Sequence, residues 1–221
     1  MTLPANGSLC DAEGMTATAS LDDDLARHLV TLATLAPSVH NTQPWSFART
    51  GDTLVLRADR SRQLAVLDPD ARLLMQSCGA ALHHLLVAVH AAGLDAQVEL
   101  VPDADDRAEL VPGRAFVPGT ATRPVEPPPA EHPTLVLVLT DGDNPREWLV
   151  AGQALSALML RCTTEGVSVQ PIGQVIDVPA ARQGLAEALG VLGHPQMLLR
   201  LGRGSSVRRT ARRSVDDVLT L

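Results

Sequence analysis

A repeat at an offset of 73 residues constrains this chain more than any other feature of it. Ala81-Leu82, Leu85 and Gly93-Leu94 are matched by Ala154-Leu155, Leu158 and Gly166-Val167. Each copy reads as a buried helix, a glycine stop and a short strand, and two such helices pairing at the centre would let one chain imitate a dimer. The 221 residues leave room for one domain with a real core, or for two half-sized units that share one.

The pattern around the repeat fills in the rest. Residues 1–20 are small, polar and aperiodic and read as a flexible leader. Asp22-Asp23-Asp24 opens a helix whose apolar positions are Leu25, Leu29, Leu32 and Leu35 and which Pro37 stops. Trp45 to Ala58 predicts a hairpin around Gly51-Asp52, and Asp70 to Ala92 a long buried helix. Gln97 to Val101 reads as a strand. Six of the 16 prolines fall between Pro118 and Pro133, so residues 117–133 form a semi-rigid bridge. Thr134 to Leu139 is an unbroken apolar strand of the kind found inside a sheet. A second long helix runs from Arg146 to Glu165, followed by a strand near Val167–Gln170, a helix over Ala180–Leu189 and a strand over Met197–Leu201. The domain reading is therefore a leader (1–20), a first half (21–116), a linker (117–133) and a second half (134–221).

Absences narrow the chemistry. All 18 basic residues are arginine, which removes Schiff-base lysine chemistry and the phosphate-loop lysine. There is no tyrosine, and four aromatic residues cannot build a base-stacking platform. With a net charge of −7, nucleic acid is an unsuitable partner. Cys10, Cys78 and Cys162 are odd in number and widely spaced, so neither a disulfide framework nor a zinc site is expected, and a reducing cytoplasm suits the chain best. The first cation is Arg27, so the N-terminus lacks a signal peptide's basic region. The longest apolar stretch is broken by His83, His84 and His90, which predicts no membrane span. Those histidines lack a carboxylate to complete a metal set and read as core residues. An enzyme of this composition either uses Ser, His, Asp, Glu or Cys directly or takes its chemistry from a cofactor.

One loop concentrates polar capacity. In Pro37-Ser38-Val39-His40-Asn41-Thr42-Gln43-Pro44-Trp45, two prolines bracket a run of hydrogen-bonding side chains just after a helix stop. Such a turn could satisfy its own backbone, or it could present donors and acceptors to the edge of a planar heterocycle.

The string PSVHNTQPWSF resembles the flavin-binding loop of the nitroreductase family, Pro-Ser-x-x-Asn-x-Gln-Pro-Trp followed by an aromatic, matching at Pro37, Ser38, Asn41, Gln43, Pro44, Trp45 and Phe47. His40, the later DPDARLLMQSCGAALHHL and the ending GHPQMLLRLG are similar to the Acg-type branch, in which one chain holds two nitroreductase-like halves. The resemblance covers residues 25–101 and 134–219 and would account for the repeat. It implies an α+β, nitroreductase-like fold, with an antiparallel or mixed sheet, long central helices and pseudo-dimeric halves. It also implies that Ser38, His40 or Asn41 touches FMN. Pro171-Ile172-Gly173-Gln174 resembles the family's Pro-Ile-Glu-Gly segment, whose backbone amides face flavin N5. Gly173 stands where the family has glutamate.

The flavin phosphate needs a fixed cation. The tail RRTARRSVDDVL is similar to the family's basic phosphate contact, with Arg212 the best match and Arg208, Arg209 and Arg213 beside it. In the middle, Val111-Pro112-Gly113-Arg114-Ala115-Phe116 retains one arginine, Arg114, of the family's second phosphate motif. Compared with the Acg-type branch, roughly one hundred residues are missing before Thr134.

The implied cofactor set is Pro37, Ser38, His40, Asn41, Gln43, Arg114, Pro171, Ile172, Gly173, Gln174, Arg209 and Arg212, with no side-chain catalyst and no metal. The implied activity is an FMN-dependent oxidoreductase carrying hydride from NAD(P)H through flavin N5 to a small electrophile, a nitroaromatic or a quinone. The alternative is a non-catalytic protein that binds, stores or sequesters flavin. A homodimer is expected, because an abbreviated chain needs a partner to close its core.

Overall fold

A computed structural model describes residues 21–100, 134–203 and 210–221. Four helices and two small sheets make up the α+β architecture. α1 (Asp23–Ala33) starts where the Asp22 carboxylate accepts the Leu25 amide, and it buries Ala26, Leu29, Val30 and Ala33. β1 (Trp45–Thr50) and β2 (Thr53–Ala58) form the expected hairpin, in register from Trp45↔Ala58 to Thr50↔Thr53. α2 (Arg72–Ala91) carries twelve buried residues. By length and composition α2 could cross a membrane, but 56% of that stretch is buried inside the protein, as expected of a core helix. β3 (Thr134–Thr140), α3 (Pro145–Thr164), β4 (Ser168–Pro171), α4 (Pro179–Leu189) and β5 (His194–Gly202) follow, and β6 (Leu219–Thr220) closes the order.

α2 and α3 carry the repeat into three dimensions. Both are 20 residues long, and each starts and ends 73 residues from the other. They cross where each has a glycine. A Cβ on Gly79 would lie 2.1 Å from the Leu149 carbonyl oxygen, and one on Gly152 would lie 1.9 Å from the Gln76 carbonyl oxygen. Gln76 and Leu149 are themselves repeat partners, so the two contacts are reciprocal. Backbone meets backbone at this crossing, and any side chain would force the helices apart. The helix ends repeat too. Gly93 and Gly166 both take positive φ, and the amides of Leu94 and Val167 return to the carbonyls of Val89 and Cys162 at 3.1 and 2.8 Å, the Schellman pattern.

Two expectations need correction. Gln97 to Leu100 form no strand: these residues are mostly exposed and have no neighbouring strand among the described residues. After α3 the chain does form a strand, β4, whose last two residues, Gln170 and Pro171, are the repeat counterparts of Gln97 and Val98, because β5 lies alongside to pair with it. Val101 lies outside the described residues. β3, predicted for a sheet interior, stands at the edge of the order β3-β5-β4. The nine-residue β5 takes the centre because it pairs on both sides, leaving Leu135 and Leu139 of β3 exposed. The leader, the linker, Arg114, Arg208 and Arg209 also lie outside the described residues.

The other sheet has the order β2-β1-β6, with β6 parallel to β1 at Phe47↔Leu219. Residues 210–221 thus cross back onto the first sheet, where the fully buried Trp45 and Leu29 share a cluster with Phe47, Leu74 and Val218. The glycine crossing predicts an unequal response to one substitution. Gly79→Ala and Gly152→Ala should each lose about 3 kcal/mol or more in urea denaturation. Gly184→Ala in α4, where a Cβ meets nothing within 4 Å, should gain about 0.5–1 kcal/mol.

Candidate functional site

The polar loop folds into a single tight turn at Val39–Asn41. The Ser38 hydroxyl accepts the Gln43 amide at 3.0 Å, and Val39 donates to the Ser77 hydroxyl of α2 at 3.1 Å. His40, Asn41 and Gln43 all have positive φ, at 44°, 57° and 49°. Asparagine tolerates this region, whereas for histidine and glutamine it stores strain that the surroundings must hold.

The tail supplies that hold. Asn41 donates from Nδ2 to the Ala211 carbonyl at 3.0 Å and accepts from Arg212 at Oδ1. Gln43 accepts the Arg213 amide at 2.7 Å, while its own amide nitrogen donates to the carbonyls of Asn41 and Ala211. The Arg213 guanidinium bridges the carbonyls of Gln43, Trp45 and Asp217. Gln43 is buried, and its side chain is engaged within the protein. Arg212 also donates to Thr210 and to the Leu35 carbonyl. Burial lowers the pKa values of both guanidinium groups.

The other candidate segment lies across the start of α2. Ile172 donates to the Leu198 carbonyl at 2.8 Å, and the Gly173 carbonyl accepts the amides of Ile176 and Asp177, both at 2.8 Å. Arg72, almost fully buried, donates to the carbonyls of Gln196 (2.7 Å) and Ile176 (3.4 Å) and to Asp177 at 3.1 Å. One turn further on, Ser77 holds the loop at Val39. The first two turns of α2 therefore anchor both residues 38–43, through Ser77, and residues 171–177, through Arg72. Pro171 and Gln174 are exposed, while Ile172 and Gly173 are half-buried.

Sequence reasoning missed Arg72 and Asp177. The signals were faint: one arginine opening an otherwise apolar helix, and an aspartate four residues beyond a glycine. It also missed Asp68, whose carboxylate accepts the amides of Leu73 and Leu74 and so caps α2 from outside. His83 and His84 both bring Nδ1 to the buried Ser156 hydroxyl, at 2.9 and 2.8 Å, so they tie α2 to α3 as core residues.

The donor set can be tested against a flavin phosphate. Arg212 has a buried Nε–H with no acceptor among the described residues, beside a second arginine and bonded to the strained loop. A phosphate oxygen is the partner such a donor lacks, so the residues present fit that group.

Comparison with known proteins finds relatives that carry nitroreductase names. Over 294 residues the chain is 25% identical to Rv3131 of Mycobacterium tuberculosis (strain H37Rv), a protein named as a proposed NAD(P)H nitroreductase, covering 82% of this chain and 86% of that one. This chain is similar to proteins named as proposed NAD(P)H nitroreductases, Acg among them. The nitroreductase-named Acg of the same organism is 40% identical over 87 residues, 39% of this chain and 26% of its own length. Rv3127, named as uncharacterised, is 37% identical over 90 residues. No protein-family model matches the chain. The alignment with the nitroreductase-named Rv3131 is longer than this chain's 221 residues, so that relative carries internal residues with no counterpart here.

Beside the site, Asp143 accepts hydrogen bonds from Trp148 (2.6 Å), Arg182 (2.6 Å) and Gln196 (3.2 Å). Burial opposes its ionisation, but these donors prevail and bring its pKa to about 2. A depressed carboxyl stabilises the fold above its ordinary value and ceases to do so as pH falls through the folded value. Between pH 4 and 2 the protein should therefore lose stability more steeply than Asp143→Asn does, by about 1 kcal/mol once solvent screening of this partly exposed carboxylate is allowed for, as read by denaturation across a pH series. Gln43→Ala, which strands the Arg213 amide and leaves the Ala211 carbonyl to Asn41 alone, should cost about 1–3 kcal/mol and speed proteolysis at residues 210–213.

Proposed function

We propose that the chain is an FMN-dependent oxidoreductase of nitroreductase type that takes hydride from NAD(P)H and delivers it to a small electrophile such as a nitroaromatic or a quinone. The observation that supports this reading is that α2 anchors both candidate segments. Ser77 holds the strained Ser38–Gln43 loop, to which Arg212 is bonded in turn, and Arg72 holds Asp177 of the Gly173 turn. The relatives named as NAD(P)H nitroreductases support the same reading.

The bound flavin supplies the two-electron chemistry, so the chain's own residues need to bind and orient rather than act as acid or base. Arg212, with Arg209 and Arg114 as further candidates from the sequence, holds the phosphate by charge-assisted hydrogen bonds. Pro37, Ser38, His40 and Asn41 form one wall, and Gln43 keeps that wall in its strained shape through Ala211 and Arg213. Pro171, Ile172, Gly173 and Gln174 form the facing wall, where a backbone amide can meet the cofactor's redox centre. The strain in the loop has a use under this reading: a loop fixed before the cofactor arrives has little ordering entropy left to lose on binding.

Titration of the purified chain with FMN and with a deazaflavin, followed by flavin fluorescence and by bleaching with NADPH or NADH, tests the proposal. Binding of FMN and bleaching by a dihydronicotinamide are the expected results. A chain that ignores both cofactors overturns the reading, and one that binds FMN yet resists both nicotinamides leaves a storage protein instead. Arg212→Ala should weaken FMN binding by about 10- to 100-fold, the loss expected for one or two hydrogen bonds between charged groups.

A further inference from the structure

Gly173 is glycine for a reason its backbone does not give. Its φ lies outside the left-handed region, so the conformation would accept any residue. The obstacle is Asp177. A Cβ at position 173 would stand 2.4 Å from Asp177 Oδ2, so the carboxylate occupies the ground that a side chain at 173 would need. The turn itself puts it there, because the Gly173 carbonyl accepts the Asp177 amide and curls the chain back over the glycine. Arg72 then holds the other oxygen, Oδ1, at 3.1 Å, and Arg72 is fixed in turn by the Gln196 and Ile176 carbonyls. Asp177 is largely buried, so its charge is poorly screened. The charged or titratable groups that act on it are Arg72, Asp68 and His40.

We propose that Asp177 tunes the electron affinity of the cofactor held against the Gly173 turn, its carboxylate acting as a fixed negative charge that opposes the arrival of electrons there. The proposal rests on the reading that residues 171–174 face a flavin. A negative charge beside a redox group disfavours its reduced, more negative form and so lowers its reduction potential, the more so where water is partly excluded. Arg72 acts as the positioning residue. Its guanidinium offsets part of the charge and keeps the carboxylate over the glycine rather than in solvent. Position 173 can thus be small because position 177 supplies the carboxylate from four residues away.

The test is the midpoint potential of the FMN-loaded full-length chain, measured by anaerobic reductive titration against a reference dye. Asp177→Asn keeps the shape and an acceptor for Arg72 and removes the charge, and its potential should move positive relative to the parent. The pair Gly173→Glu with Asp177→Ala returns a carboxylate to the same ground from the other position, and should bring the potential back toward the parent value. Flavin-loaded Asp177→Asn with an unchanged potential overturns the proposal and leaves the proposed function standing. Should Asp177→Asn not fold, the double variant decides: a potential more positive than the parent's, despite the restored carboxylate, overturns it equally. A parent chain that takes up no flavin overturns the proposed function and this inference with it.

Discussion

The rest of the structure depends on two helices that touch backbone to backbone. Side chains normally hold helix axes 8–10 Å apart; at Gly79 and Gly152 there are none, and each glycine faces the carbonyl of the other's helix. The contact is directional as well as close, because it recurs with the same 73-residue partners on both sides. Only one rotation and one register satisfy both glycines at once. That register sets where the first turn of α2 lies relative to β5 and the Gly173 turn, and so decides that Arg72 can reach Gln196 and Asp177. A shift of one residue along either helix would break the reciprocal fit and move the buried arginine away from its acceptors.

A second level of constraint is polar. Arg72, Gln76, Thr140 and Asp143 form a connected set between α2 and the second sheet, each hydrogen-bonded to the buried Gln196. Such a network is costly to break in part, because any member left alone carries its full desolvation penalty. The apolar cluster under the first sheet supplies burial energy, while this network fixes orientation. The loop at residues 38–43 uses the same principle on a smaller scale, with tail carbonyls and amides satisfying side chains that hold three unfavourable backbone angles.

Helix positions were legible in the sequence because apolar spacing, the acidic start at Asp22 and glycine stops all act within a few residues of where they are read. The repeat was legible for the same reason, since its matched residues lie along the two central helices and at their glycine ends, although Gly79 and Gly152 at the crossing were not among them. The strand at Gln97–Leu100 was misread because a strand is made by its neighbour, and no local pattern reports whether a neighbour exists. β3 was misplaced on the same ground: an apolar run says that a strand wants burial and cannot say which of its edges receives a partner. At the site, Ser38, Asn41 and Arg212 could be named from the loop and tail strings, whereas Asp177 and Arg72 could not. Their importance lies in a contact between residues 105 positions apart, which neither stretch announces alone.

The parallel pairing of β6 with β1 has a consequence for the order in which the molecule can be made. Residues 41 and 43 leave the ribosome early and must wait for residues 211 to 213, whose carbonyls, amides and guanidinium groups hold them in place. Until then, the helix crossing and both central helices can be complete while the loop has nothing to keep its left-handed angles. Construction therefore proceeds from the inside outward in energy but from both ends inward in sequence. The loop at residues 38–43 is the last part to become rigid, after the scaffold that positions it is already in place.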